Sequence, residues 1–361
     1  MRLLAGNSVT SITVLACLAT ADVNPLRRLH PAVAGVVATV PWADHTTPVV
    51  DVVRWRAALP AAVGAHISRL TLAAVAAGGL EELTCEPAPV PVAAALASVT
   101  AFLDLHKCVG LADATLAHLS PSLASLSVRN CYGLTPAANF GHLTALTVLD
   151  ASYTKVARRG LGRLPPCLVE LRLDCADLPS TADFSHLVHL RTLSCGWGVL
   201  SAATVASLPQ CLRELDVVHK GGGVPSLAHL RQLRVLRAGH SNISDATLAS
   251  LSPSLLHLDV TGCMRLTHAA SCAHLPALQV LAAEGSAIGD ATLASLPPSL
   301  VSLHVTHCNA LTRSAALPHL PALRVLDVID TAVGDALVAS LPAGLLQLFV
   351  ADCVMRGAAT R

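Results

Sequence analysis

Twelve cysteines and seventeen histidines are the residues of this 361-residue chain with the most chemical scope. Thiolates and imidazoles hold metals, and either can act as a nucleophile or base. Their arrangement points away from both uses. The paired C-x-x-C of a zinc clip is absent, as are G-x-S-x-G, the P-loop and H-E-x-x-H. One run looks metal-like, His304-Val305-Thr306-His307-Cys308, but its register turns Cys308 inward and His304 outward. Five histidines, His142, His186, His229, His274 and His319, recur just ahead of a leucine, which marks a structural position rather than a site. No catalytic residue, metal or cofactor is expected, and the chain reads as non-enzymatic.

Composition narrows the partners. Lys and Arg number 24 against 23 Asp and Glu, so no global basic field draws the chain to nucleic acid or an anionic membrane. Hydrophobic residues make up 53% of the chain and aromatics only 2%, which implies a core of many small Leu, Val and Ala layers. Mean hydropathy is +0.59, yet no run approaches the roughly 18 uninterrupted apolar residues of a spanning helix, and no membrane span is expected.

What positions the cysteines is a repeat. The pattern L-x-x-L-x-(V/L/A) starts at Leu123, Leu146, Leu168, Leu190, Leu212, Leu233, Leu255, Leu278, Leu300, Leu323 and Leu345, at intervals of 21 to 23 residues. Further copies start at Thr100 and, less regularly, Leu80. Two kinds alternate, so the full unit is a pair of roughly 44 residues. Counting from the first leucine, Cys108, Cys131, Cys263, Cys308 and Cys353 occupy position 9, where Thr154, Ser241, Ser286 and Thr331 stand in other copies. Buried reduced thiols are expected there, and these favour the cytoplasm or nucleus. Positions 4 and 6 point inward, and stacked copies share one core through a parallel sheet. Asp113, Asp245, Asp290 and Asp335 precede short Ala/Leu segments and are expected to cap a helical turn on the far side.

The C-x-x-L-T tails, as in Cys263–Thr267 and Cys308–Thr312, and the T-x-V-x-D turn at Thr331–Asp335 resemble the cysteine-containing class of leucine-rich repeats over about residues 80–353. The resemblance implies an α/β leucine-rich repeat solenoid, a horseshoe with a parallel concave sheet and short helices or 3₁₀ turns on the convex side. It also implies a protein partner on the concave face, as in substrate-recognition subunits of ubiquitin ligases. Residues 1–79 do not show the repeat and read as a small helical N-terminal region, with Val49–Leu59 as one helix. The spacing Ile12, Leu15, Leu18, Leu26, Leu29, Val33 resembles an F-box, which would dock a ubiquitin-ligase adaptor; the alternative is a plain cap for the first repeat. A third reading is a secretory leader, from the apolar run Val9–Ala19 and the small-residue exit at Ala19-Thr20-Ala21. It would make the protein a secreted or cell-surface recognition molecule.

Positions 3, 5, 7 and 8 are expected on the concave face. There the middle of the array gathers Tyr153, Arg172, Trp197, His219, Arg237 and His240, residue types enriched where proteins bind one another. The Asp and Arg residues at position 5 are read mainly as a charge ladder between adjacent strands.

Overall fold

The computed structural model describes the backbone of residues 42–49, 62–67 and 82–85, and then residues 99–351 apart from 109–110, 177, 199 and 219–222. The chain divides into two compact units, Met1–Arg172 and Leu173–Arg361.

In the first unit, strands β1 (Trp42–Val49), β2 (Ala62–Ile67), β3 (Glu82–Cys85), β4 (Phe102–Asp104), β5 (Ser125–Ser127), β6 (Val148–Asp150) and β7 (Glu170–Arg172) follow in chain order. Each pairs in parallel with the next. The register sets leucine on leucine, Leu103 against Leu126, Leu149 and Leu171 in turn. Position 4 of strands β4 to β7 is buried, with positions 3 and 5 half-exposed or more on the other side. The crossovers hold one short helix, α1 (Asp113–Leu116), and two 3₁₀ turns, Val156–Arg158 and Leu161–Arg163.

The second unit continues the same construction in β8 (Thr192–Ser194), β9 (Glu214–Asp216), β10 (Val235–Arg237), β11 (His257–Asp259), β12 (Val280–Ala282), β13 (Ser302–His304), β14 (Val325–Asp327) and β15 (Gln347–Phe349). All of these neighbours are parallel. Helices α2 (Ala202–Ala206), α3 (Asp245–Ala249), α4 (Asp290–Ala294) and α5 (Asp335–Ala339) lie in alternate crossovers, which is the structural form of the paired repeat. The core is the expected leucine column: Leu215, Leu236, Leu258, Leu281, Leu303 and Leu326 are each 0–1% exposed.

Two expectations meet a different outcome. Residues 1–79 read as helical, but the stretches of them that the structure describes, β1 and β2, are strands that carry the parallel ladder ahead of residue 80. The F-box-like spacing Ile12–Val33, the run Val9–Ala19, residues 50–59 and Cys353 lie outside the described residues.

The second concerns the aspartates. None caps its helix: Asp113, Asp245, Asp290 and Asp335 are the first residues of α1, α3, α4 and α5, one place past the cap. The caps that form are serines, Ser201 accepting from Thr204 N–H at 3.0 Å and Ser244 from Thr247 N–H at 3.3 Å. The carboxylates instead reach the next repeat and accept from the threonine of its C-x-x-L-T tail. Asp245 takes the Thr267 N–H at 2.9 Å and hydroxyl at 2.6 Å, and Asp290 takes both from Thr312. Asp113 does the same with Thr135. A fixed offset of 22 residues thus ties one repeat's helix to the next repeat's corner.

This clamp separates two chemically alike substitutions. Asp290→Ala breaks a two-point, charge-assisted contact and should lower stability by about 1–2 kcal/mol. Asp335→Ala also empties the first position of a helix but removes no described clamp, so it should cost only a few tenths of a kcal/mol. Urea midpoints of the two variants decide between clamp and cap, because a capping role predicts equal losses.

Candidate partner-binding face

The strands present their outward residues at positions 3 and 5, and the chain then turns. At position 8 the backbone is left-handed in every repeat where it is described: Lys107, Asn130, Tyr153, Cys175, Trp197, His240, His307 and Asp330 have φ between 52° and 67°, with Gly262 and Gly285 at 65° and 60°. The turn lets the position-8 amide bond the next repeat, as Trp197 N–H does to Val218 at 2.8 Å and His307 N–H to Ile329 at 3.0 Å. It also lets the position-9 amide close on its own position 6, as Cys308 N–H does to Val305 at 3.2 Å. Position 8 is therefore a corner and not a strand position as expected. L-residues avoid this region by roughly 1–2 kcal/mol, and only glycine takes it freely.

Of the six residues singled out by sequence, Tyr153 and Arg172 belong to the first unit, and Trp197, Arg237 and His240 to the second; His219 lies outside the described residues. In the first unit the Arg129 guanidinium stands 5.0 Å from the centre of the Tyr153 ring, a cation–π contact that fixes the ring at the surface. Arg172 pairs with Glu170 of its own strand at 2.7 Å and donates from Nε to the same carboxylate at 2.8 Å.

In the second unit Trp197 is 54% exposed. Arg237 faces Glu214 of the neighbouring strand at 3.8 Å. His240 lies over Gly262, where an added Cβ would meet its Nδ1 at 2.4 Å, so the glycine makes room for the imidazole. The tryptophan is thus carried at a costly backbone position with most of its ring uncovered.

At position 5 the register sets Arg237 between Asp216 and Asp259, but among the described residues no direct Asp–Arg ion pair forms there. Asp150, Asp259 and Asp327 turn back to accept the position-7 N–H of their own repeats at 2.9, 2.9 and 3.2 Å, and the arginines pair with glutamates at position 3. An amide two residues on is nearer and better aligned than a guanidinium on the next strand. Asp216 does likewise with Val218 at 3.3 Å, and burial, opposed by that N–H, holds its carboxyl above the ordinary value. At the later strands histidines join carboxylates, His304 with Asp327 at 4.0 Å and His307 with Asp330 at 3.3 Å.

The cysteines are donors. Cys131, Cys263 and Cys308 give their Sγ–H to the position-6 carbonyl of the preceding repeat at 3.0, 3.2 and 3.0 Å. In between, Ser241 and Ser286 bond the same two carbonyls, Ala238 and Ala283, at 2.6 Å. Burial pushes the Cys131 thiol up to about 12 and raises Cys263 and Cys308, so these sulfurs are protonated at neutral pH. Among the described residues no group of three His, Cys, Asp or Glu is placed to hold a metal ion. Sequence reasoning passed over position 2, where Arg191, Arg213 and Arg234 stand exposed.

No family model matches the sequence, and no curated protein matches it. Solved structures do. An internalin, InlF, from Listeria monocytogenes superposes with a TM-score of 0.59 over 75% of this chain and 80% of its own, at 17% identity. The functional domain of InlJ from Listeria monocytogenes, which includes a cysteine ladder, gives 0.57 over 80% of this chain at 15% identity. The match spans 63% of that domain. YopM from Yersinia enterocolitica gives 0.50 over 86% of this chain and 67% of its own, at 19% identity. The fold is a leucine-rich repeat solenoid. At these identities the likeness concerns the fold, and the solenoid's outward residues are its own. No described helix is long and apolar enough to cross a membrane.

Two predictions follow from the geometry. Trp197→Gly should leave the solenoid as stable or up to about 1 kcal/mol more stable, because glycine relaxes the left-handed corner, whereas Trp197→Val should destabilise by about 1 kcal/mol or more. Thermal melts followed by circular dichroism compare them, and equal losses would mean that the ring, not the backbone, matters to folding. His257 is held below its ordinary 6.5 by burial and by Arg237, against Asp259. An imidazole whose folded pKa is depressed loses stability as pH falls through its unfolded value. His257→Gln should therefore flatten the decline in urea midpoint between pH 7 and 5, and an unchanged slope would refute the assignment.

Proposed function

We propose that this solenoid is a protein-binding scaffold and that Trp197, Arg237 and His240 anchor a protein partner on the second unit. Tyr153 and Arg172 on the first unit and His219 on the second stand at the same repeat positions and are candidate partner-binding residues of their own units. The observation that carries the reading is Trp197. A tryptophan is held there in the left-handed region that Gly262 and Gly285 adopt freely, and it is left 54% exposed. Trp and Arg are among the residue types enriched where binding energy between proteins concentrates.

The nine described cysteines are free, which supports a reducing compartment such as the cytoplasm or nucleus. A substrate-recognition subunit of a ubiquitin ligase is one role within this class, with residues 1–79 as the place an adaptor would dock. A secreted recognition protein is the other. The two are told apart by whether the mature chain begins at Met1 or near Asp22.

A photo-crosslinking amino acid placed at position 197 of the full chain should capture a protein in cells. The same probe at Met264, which is more exposed still and lies at a corner remote in sequence, should not capture it. The adduct should also weaken when Arg237→Ala is added, by about 1–2 kcal/mol of binding. Equal capture from both positions, or indifference to Arg237, would sink the reading.

A further inference from the structure

Four repeats of the second unit carry arginine at position 2: Arg191, Arg213, Arg234 and Arg324. They are not in the same state. The Arg324 guanidinium folds back on the carbonyls of Pro321 and Leu323, at 3.0 and 3.1 Å. The other three stand on consecutive repeats, all exposed, with no ion pair or side-chain hydrogen bond among the described residues. Their backbones are bonded directly: Arg213 N–H donates to Arg191 C=O at 2.7 Å, and Arg234 N–H to Arg213 C=O at 2.8 Å. The three side chains are therefore rooted side by side at roughly the 4.8 Å spacing of strands. Arg231, also exposed, precedes Arg234 by three residues.

Nothing in the fold demands these charges. The equivalent residues in the next three repeats are Leu256, Gln279 and Val301, so position 2 tolerates apolar and neutral side chains. Like charges on neighbouring strands repel. The local carboxylates do not relieve them: Glu214 faces Arg237, and Asp216 and Asp259 accept amides of their own repeats further along the chain. The result is a row of three uncompensated guanidiniums at the start of the strands.

We propose that Arg191, Arg213 and Arg234 form a basic track that binds a short Asp/Glu-rich segment of a partner protein, laid across three repeats. An extended peptide places the side chains of one face about 6.8 Å apart, which long arginines rooted closer together can meet. Each guanidinium matches a carboxylate with two parallel N–H donors. A nucleic acid fits less well. Stacking rings would be needed beside the track, and the exposed aromatic of these repeats, Trp197, stands six residues on from Arg191 at the far end of its strand. The track goes beyond the anchor at Trp197 and Arg237 and shares no residue with it.

The test uses the full chain and a fluorescent ten-residue glutamate peptide, followed by anisotropy at low salt. Each exposed pair contributes a factor of roughly two to five, so the triple variant Arg191→Gln/Arg213→Gln/Arg234→Gln should bind about tenfold more weakly or worse. Arg213→Gln alone should lose a factor of about two to five, which keeps the test available if the triple variant folds poorly. Arg265→Gln/Arg313→Gln, with two charges removed elsewhere, should bind within about twofold of the parent, as should Trp197→Gly/Arg237→Ala. Unchanged binding in the track variants, equal loss in the Arg265/Arg313 variant, or loss in the Trp197/Arg237 variant would each overturn the track. Tighter binding of a ten-residue thymidine oligonucleotide than of the peptide would overturn the acidic segment as its ligand. Failure of crosslinking at position 197 with the peptide result intact would remove the Trp197 anchor and leave the track standing.

Discussion

A strand of three residues followed by a tight corner leaves more backbone donors and acceptors than one repeat can satisfy within itself, and burying them unpaired is costly. The whole solenoid follows from how that is met. Each position-6 amide bonds the position-5 carbonyl of the next strand, as Ala238 does to Asp259 at 2.8 Å, and position 8 continues the ladder through its left-handed turn. Between α2 and α5 the serine that ends each helix accepts an amide from the preceding repeat: Leu227 N–H to Ser250 at 3.1 Å, Cys272 N–H to Ser295 at 2.8 Å. The Asp–Thr clamps and the position-9 thiols and hydroxyls complete the set. None of these contacts exists in an isolated repeat, so the leucine core and the polar corners have to form together.

Seen this way the cysteines and serines are one class of residue. Just before the first leucine of their repeats, Cys167 and Cys211 donate to the carbonyls of Leu146 and Leu190 at 3.1 and 3.2 Å, and Ser254 and Ser299 donate to Leu233 and Leu278 at 3.1 and 2.8 Å. A small side chain with a rotatable donor is what the position needs, and sulfur or oxygen supplies it. From Ser241 to Thr331 position 9 alternates between the two, so that in these repeats a bulkier sulfur meets a hydroxyl in its neighbour. Ser241 Oγ and Cys263 Sγ lie 3.7 Å apart. Cys131, Cys167, Cys211, Cys263 and Cys308 thus serve corner packing.

The parts of this structure legible in the sequence are those set by one repeat's own period. The apolar residues at positions 4 and 6 had to face one side because a strand alternates, and Cys131, Cys263 and Cys308 had to turn inward because the chain bends there. What was not legible depends on a partner a full repeat away. Asp245 looks like a helix cap to anyone reading its neighbours, and only the stacked register shows Thr267 waiting for it. A fixed interval between each Asp and the Thr of the following tail was the available signal. Gly262 and Gly285 at position 8 were the other, since glycine among large residues at one position marks a backbone constraint. Arg237 is exposed on its strand, but its pairing with Glu214 could not be read from alternation alone. The strands β1 and β2 escaped notice because their sequences carry no leucine period at all.

The same division decides where recognition can reside. Residues that close corners are committed: the position-5 aspartates are tied to their own amides, and the position-9 donors to carbonyls. Only positions that the stacking leaves unengaged are free to vary with a partner. In the second unit those are a tryptophan whose backbone would prefer to be glycine and a row of arginines whose neighbours in the series are Leu256, Gln279 and Val301. Both depart from what the repeat requires, one in conformation and the other in charge. In a scaffold built from nearly identical layers, such departures are where a cost to folding has to be offset by something outside the fold, and a bound protein is the simplest thing that meets an exposed ring at one end of the strands and unpaired cations at the other.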